Sequence, residues 1–380
     1  MNLEDFFGGN GPGSLRRTGS GGVSRFTARN DGDAVKPVVC GLNGPVWSLI
    51  LNRPDAINSL NFTMVQHLKR FFAQAQENDT CRLVLLYGAG GKGFCAGGDM
   101  KDIAAAVRAG KFAEALGFLR AEYDLDLMIH RHRKPVIVIA DGIVMGGGLG
   151  LAAGADMVIV TERTIMAMPE TRIGFFPDVG ATGWLHAKCP AGYPAFIGLT
   201  GHELKGTECV RLGLGTHFVR SGNLSQAIFE LEHIRMPEAA SADDTLDAAR
   251  SAISRFVENP DFKKTDMDVW VYLNFSRKTS AADLLDSLSR CVTDLYICRE
   301  VFKRISERSP ISLALTQVLL QLNEKRNIEE VFESDIRAAD FIFRQHDFLE
   351  GVRARLIDKD DNPQWLPSTI GSVDISSLIL

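Results

Sequence analysis

Apolar residues fall along this chain in two rhythms. Up to about residue 220 they gather in short unbroken runs, Val46–Leu51, 83–87, Val136–Ala140 and Met157–Val160, with helically spaced stretches between them. Short runs rich in Val, Ile and Leu, bounded by turn residues, predict buried strands; alternation with helices predicts β/α units. After about residue 240 the strand signals fade. Apolar positions then recur at helical spacing over 246–257, 281–290, 292–304, 311–322 and Ile328–Phe343. Pro237 and the Ala, Ser and Asp residues up to Asp244 read as a linker. The expected organisation is a tail over 1–36, an α/β core over 37–240, a C-terminal helical region over 241–370 and a short tail over 371–380. Residues 136–160 are apolar enough to span a bilayer in length. Asp141, Asp156 and several glycines divide them into strand, turn, helix and strand, so no membrane span is expected.

Two of these strands run into glycine turns. Residues 83–87 lead to Gly88-Ala89-Gly90-Gly91-Lys92-Gly93-Phe94-Cys95-Ala96-Gly97-Gly98-Asp99 and an Ala-rich helix over 99–107. Val136–Ala140 leads through Asp141-Gly142 to Met145-Gly146-Gly147-Gly148 and a helix over 146–153. A strand, a glycine turn and a helix start expose backbone N–H groups that no helical carbonyl uses. Such an end binds phosphate, or holds the negative charge that develops on a carbonyl oxygen. Two of them in one domain can each offer one N–H to the same oxygen. The plainer alternative is that the glycines only let a helix pack closely on a sheet. No Gly-Lys-Ser/Thr closes either turn, and neither is a dinucleotide fingerprint. Downstream lie two carboxylates, Glu170 after Pro169 and Asp178 after Pro177, placed to act as acid, base or nucleophile. Their ordinary readings are a surface carboxylate and an N-cap.

Ala96-Gly97-Gly98-Asp99 with Gly146-Gly147-Gly148, and Asn52-Arg53-Pro54-Asp55-Ala56-Ile57-Asn58-Ser59-Leu60 after the first strand, resemble the enoyl-CoA hydratase/isomerase (crotonase) superfamily. A finer resemblance is to its 3-hydroxyisobutyryl-CoA hydrolase branch. It rests on Ala167-Met168-Pro169-Glu170-Thr171 with Gly174-Phe175-Phe176-Pro177-Asp178-Val179-Gly180, on Leu199-Thr200-Gly201 with Leu204-Lys205-Gly206 and Thr216-His217, and on His346-Asp347-Phe348-Leu349-Glu350-Gly351-Val352-Arg353-Ala354 with Leu356-Ile357-Asp358-Lys359-Asp360 and Pro363-Gln364-Trp365. It covers roughly 37–370.

The resemblance implies an α/β fold, a crotonase-like spiral of ββα repeats with a C-terminal helical region over the CoA site. It implies an acyl-CoA thioester hydrolase of valine catabolism. The N–H groups of Gly98 and Gly147 would hold the thioester oxygen, Glu170 would be nucleophile or general base, and Asp178 would orient the 3-hydroxyl or protonate the leaving thiolate. Glu122 would bind substrate; its ordinary reading is an exposed helix residue. The family's hydratases use a second glutamate where this chain has Gly150, so efficient hydration is not expected. Trp184 and Arg172 depart from the family pattern. The bulk of Trp184 bears on the acyl pocket, and Arg172 is expected to pair with a nearby acid. No metal and no cofactor are expected, coenzyme A being part of the substrate. Two other readings stay open: an assembly component of a mitochondrial ribosome, as some relatives of this branch are, and a CoA-dependent isomerase working with Glu170 alone.

Composition narrows this further. Hydrophobic content of 45% with 23% charged residues marks a globular chain. A net charge of −5 argues against nucleic acid as a partner, except through a ribosome. A homo-oligomer remains open. The seven cysteines, widely spaced and without a C-x-x-C pair, read as reduced thiols of an intracellular compartment. Cys95, inside the first glycine loop, is a candidate nucleophile, though no motif places a histidine beside it. His130 and His132 with Arg131 and Arg133 read as a basic helix end. The segment 14–29 carries Arg, Ser and Gly without an acid, as transit peptides do, but Glu4 and Asp5 precede it. Mitochondrial and cytoplasmic locations both remain.

Overall fold

The structure is a computed structural model describing residues 36–236, 240–260, 263–277, 280–291 and 295–375. The proposed transit segment lies outside these residues. Eleven strands are present among them: β1 (Val38–Asn43), β2 (Val46–Leu51), β3 (Leu83–Gly88), β4 (Gly93–Cys95), β5 (Val136–Ala140), β6 (Ile143–Met145), β7 (Met157–Val160), β8 (Ile165–Ala167), β9 (Leu204–Lys205), β10 (His217–Val219) and β11 (Val257–Glu258). The larger sheet has the order β1-β2-β3-β5-β7-β10-β11 and the smaller one β4-β6-β8-β9. From β2 to β10 the large sheet is parallel, with antiparallel partners at both edges. Consecutive pairs β3/β4, β5/β6 and β7/β8 each place one strand in each sheet before the chain turns into helix. This is the expected spiral of ββα units.

Parallel strands are covered on both faces, so their sequences read as continuous apolar runs. Alternate residues enter opposite cores. Trp47, Leu49, Val84, Leu86, Val138 and Val158 join the large core, and Val46, Ile50, Leu85, Tyr87, Ile137 and Ile159 the smaller one. Leu224, Ala227 and Leu231 of the helix Ser221–Glu232 cover the second face. Its Glu232 accepts hydrogen bonds from Ser48 (2.9 Å) and Tyr87 (3.0 Å), the polar groups on that face.

The region after residue 240 departs from expectation at one place. A helix begins at Ala242, inside the expected linker, because Ser241 and Asp244 form a capping box. It ends at Ile253, and Val257 and Glu258 return to the sheet as β11, paired with Val219 and Phe218. Ala249 and Ile253 pack in the smaller core. Residues 242–258 therefore belong with the sheet. Helices follow over Asp266–Phe275, Ala281–Ser289, Leu295–Ser306, Pro310–Asn323, Ile328–Phe343 and His346–Val352. Cys291 and Cys298 form a disulfide, which corrects the reading of seven reduced thiols. A spacing of seven residues carries no pairing signal; Cys291 follows the helix Ala281–Ser289 and Cys298 lies on the helix Leu295–Ser306.

The first glycine loop is held from behind by Asn58. Its backbone is left-handed (φ 55°), a conformation Asn adopts more readily than most residues. Its amide donates to Ala89 O and Gly93 O, both at 3.0 Å, and its side-chain oxygen accepts from Arg53 N–H at 3.0 Å. The chain beyond it runs along the loop: Ala96 N–H donates to Ile57 O (3.0 Å), Leu60 N–H to Gly97 O (2.8 Å) and Asp99 N–H to Leu60 O (2.8 Å). Gly98 is thus held between two backbone bonds. Asn58→Ala removes three hydrogen bonds to backbone, one buried and two half-buried, and is expected to lower unfolding free energy by about 3 kcal/mol. Denaturant titration checks this; a loss under about 1 kcal/mol contradicts it.

Candidate active site

The two glycine turns meet. Gly98 N lies 3.3 Å from where a Cβ on Gly147 would stand, and Gly147 N lies 3.3 Å from where a Cβ on Gly97 would stand. Among the described residues neither the Gly98 nor the Gly147 N–H donates a hydrogen bond. The second turn enters its helix, Gly147–Ala153, at backbone level. A Cβ on Gly148 would stand 2.4 Å from Cys95 O, which forces the absence of a side chain there.

Around the turns stand carboxyl groups from separate parts of the chain. Glu122 and Asp126 are one turn apart on the helix Phe112–His130, and Glu170 opens the 3-10 turn Glu170–Ile173. Asp178 lies in the following loop, and Asp335 on the helix Ile328–Phe343. All five are buried, at 0–7% exposure. The ordinary readings of Glu122 and Glu170 as surface carboxylates therefore do not hold. Nor is Asp178 an N-cap: Gly180 occupies that position and no side chain caps the helix Ala181–Lys188.

The geometry orders these groups around the turns. Glu122 Oε1 is 2.0 Å, and Glu170 Oε1 2.8 Å, from where a Cβ on Gly147 and Gly146 respectively would stand. Only bare glycine lets both carboxyl groups come this close. Asp178 accepts a hydrogen bond from the Tyr123 hydroxyl at 2.7 Å, and Asp335 one from Gly180 N–H at 2.8 Å. Val179 between them has φ 51°, unusual for a β-branched residue, and Trp184 Nε1 donates to its carbonyl at 2.9 Å. Trp184 is a brace behind the Asp178 loop. Glu122 Oε1, Glu170 Oε2 and both Asp126 oxygens have no hydrogen-bond partner among the described residues.

Burial pushes all five carboxyl groups up from the usual carboxylate range. For Glu170 the Asp178 charge adds to burial, and for Asp126 the charges of Glu122, Asp178 and Asp335 do so. Burial also raises Asp178, against the Tyr123 hydroxyl that favours its charged form. No lysine or arginine is among the causes acting on them, so nothing offsets the upward shifts, and the five titrate as a set. Tyr123, Asp126 and Asp335 were not singled out in the sequence. The available signal was an acid at a core position: Asp126 follows Glu122 by four, and Asp335 sits among Val331, Phe332, Ile336 and Ala339.

The Cys95 thiol is fully buried, donates to Asn58 O at 3.3 Å and is pushed up to about 12 by burial, so it is a packed thiol rather than a nucleophile. Burial pushes His130 down to about 4; the helix end carries its charge on the arginines, and Arg131 pairs with Glu329. Arg172 pairs with Asp361 at 3.2 Å, as expected of it. Among the described residues no group of three His, Cys, Asp or Glu is arranged to hold a metal ion, and no helix is long and apolar enough to cross a membrane.

Two glycine turns converging on buried acids, in a spiral of ββα units, define the class. The family model described as enoyl-CoA hydratase/isomerase matches residues 46–378, and the chain belongs to that family. Within it the chain belongs to the 3-hydroxyisobutyryl-CoA hydrolase branch. The mitochondrial 3-hydroxyisobutyryl-CoA hydrolase of Danio rerio is 34% identical over 87% of this chain and 85% of its own length. That of Homo sapiens is 33% identical over 90% and 87%, and 3-hydroxyisobutyryl-CoA hydrolase 1 of Arabidopsis thaliana 33% over 84% of each. Among solved structures, a carnitinyl-CoA dehydratase from Mycobacterium thermoresistibile superposes with a TM-score of 0.80 at 32% identity, over 90% of this chain and 95% of its own. An enoyl-CoA hydratase from Rhodobacter sphaeroides gives 0.78 at 28% identity, over 90% and 96%.

The raised carboxyl groups have a consequence for stability. A buried acid whose folded pKa lies above its unfolded value is bound to its proton more tightly when folded. Stability is then lost as pH rises from the unfolded value through the folded one. Asp126→Asn removes the proton and the charge together. Its melting temperature is expected to exceed that of the parent by a margin that widens from about pH 5 to about pH 9. A margin that is flat or negative throughout contradicts the assignment.

Proposed function

We propose that this chain hydrolyses the thioester of 3-hydroxyisobutyryl-CoA in the mitochondrion, as its relatives' names describe. The observation that carries the choice of hydrolysis over hydration is the surroundings of Gly150. The hydratases' second glutamate would stand there, but a Cβ at this position would lie 2.7 Å from Val179 Cβ and 3.0 Å from Asp126 Oδ2. The space for that side chain is filled by the Asp178 loop and by Asp126. Glu170 and Asp178 are the pair left beside the turns.

In this reading the thioester oxygen takes hydrogen bonds from the unused N–H groups of Gly98 and Gly147. Each such donor is worth about 2.7–4 kcal/mol in the transition state. Glu170 works ionised. It either attacks the carbonyl carbon, giving a mixed anhydride that water then cleaves, or takes a proton from the attacking water. Asp178, held by Tyr123, orients the 3-hydroxyl or protonates the departing thiolate of CoA. Glu122 lies against both glycines and contacts the bound acyl group. No cofactor enters beyond the CoA of the substrate.

Free-thiol release from 3-hydroxyisobutyryl-CoA is the direct test. Release is expected, with crotonyl-CoA left nearly unchanged; loss of enoyl absorbance without thiol release would overturn the proposal. Glu170→Gln is expected to lower kcat by at least about 10²-fold with KM little changed. The pH profile tests the coupling of the pair. The active form has Glu170 ionised, so kcat rises with pH through its raised pKa. Asp178→Asn removes a charge that raises it, so this acid limb should move to lower pH while kcat at the plateau falls. An acid limb that stays in place removes the coupling from the mechanism.

A further inference from the structure

Two polar residues of the helix Phe112–His130, Asp126 and His130, lie behind the glycine junction and take no part in the chemistry described above. With Glu122 they recur at intervals of four, so the three form a file along one face of the helix, about 6 Å from one to the next along its axis. The short helix Gly147–Ala153, with Gly154 at its end, runs beside this face in the same direction and presents a glycine to each member. A Cβ on Gly147 would run into Glu122 Oε1. One on Gly150 would stand 3.0 Å from Asp126 Oδ2, and one on Gly154 3.0 Å from His130 Cδ2. Phe332 packs along the same file: its ring stacks on Tyr123 at 5.8 Å and meets His130 edge-on at 6.4 Å. Glu122 and Asp126 are buried, whereas His130, the last residue of its helix, is half-buried. The file therefore runs from the glycine junction to the surface.

Its polar atoms are unused. Both Asp126 oxygens, Glu122 Oε1 and His130 Nε2 are buried without a hydrogen-bond partner among the described residues. Packing alone favours apolar side chains at such positions, because a buried polar atom without a partner is costly. The ionisable groups acting on Asp126 are Glu122, Asp178 and Asp335, and those acting on His130 are Lys188 and Glu329. Burial, and the Lys188 charge after it, keep the His130 ring neutral, so it is suited to passing a proton on rather than storing one. Thioester hydrolysis supplies such a proton. The C–S bond breaks with its electron pair going to sulfur, and a C–O bond forms to water. One of the two protons of that water ends on the CoA thiol. The acid product ionises at neutral pH, so the other must leave. It is set free among buried carboxyl groups, while CoA still occupies the side from which the thioester entered.

We propose, resting on the hydrolysis reading above, that Glu122, Asp126 and His130 form the path by which the surplus proton leaves the buried site. The proton passes from the carboxyl groups at the turns to Glu122, then to Asp126, then to His130 Nε2, and the other ring nitrogen gives one up to solvent. Single-turnover mixing of the full chain with 3-hydroxyisobutyryl-CoA in weak buffer tests this. The thioester is followed by its ultraviolet absorbance and the proton by a pH indicator. In the parent protein the proton appears in step with thioester loss. In Asp126→Asn and in His130→Gln it is expected to trail that variant's own thioester loss, at a rate at least about tenfold lower. A loss of packing slows both signals together and gives no lag. If Asp126→Asn does not turn over, His130→Gln, at the outer end of the file, decides alone. A proton that stays in step with thioester loss in His130→Gln overturns the proposal. No thioester loss in the parent protein overturns the hydrolysis reading itself.

Discussion

The site depends on side chains that are absent. Gly146, Gly147, Gly148 and Gly150 strip the start of a short helix down to its backbone on several sides. Onto it come the Glu170 carboxyl, the Glu122 carboxyl, the Cys95 carbonyl and the Val179 side chain, each at a distance that a Cβ would forbid. One close approach therefore does several jobs. It joins the first glycine loop to the second, so that two unused N–H groups stand side by side. It admits acids from a helix on one side and from a turn on the other. It fills the volume that a glutamate at position 150 would need.

That approach has an electrostatic cost, which the fold accepts. Five carboxyl groups are gathered out of water with a tyrosine hydroxyl and a backbone N–H as their clearest partners. Burial, and after it the repulsion between neighbouring charges, keeps protons on some of them at a pH where free carboxyl groups have lost theirs. A neutral acid beside an ionised one is what acyl transfer asks for: one group to supply electrons to carbon, another to hold a proton for the leaving group. The stability given up here is recovered in the two cores that sandwich the large sheet. A few hydrogen bonds, such as those of Asn58, transmit that rigidity to the turns.

The parts legible in the sequence were those with a repeating or a local signature. Strands buried on both faces announce themselves as apolar runs, and a glycine turn after a strand needs no distant partner to be recognised. Glu170, Asp178 and Glu122 were found through motif resemblance; Glu122 lies against Gly98 and Gly147, Glu170 against Gly146, and Asp178 in the loop whose Val179 packs on Gly150. What escaped was made by tertiary assembly. Asp126 and Asp335 stand at core positions of their helices, but an acid there acquires a meaning only once the element opposite it is known. The two-residue strand β11 is too short for a period. The disulfide joins cysteines with no motif spacing.

The segment around Asp347 locks the Glu170 turn from outside. Ser309 donates to its carboxylate at 2.5 Å and Leu366 N–H at 2.7 Å, while Gly174 and Gly351 let the helix His346–Val352 press on the turn with a Cβ-free surface on each side. This sets an order of events during synthesis. The helix bearing Glu122, Tyr123 and Asp126 leaves the ribosome long before Asp335 and Asp347 are made. Until then its acid-bearing face has no cover, and neither does the Glu170 turn. The chamber is therefore closed only by residues far along the chain from those that begin it.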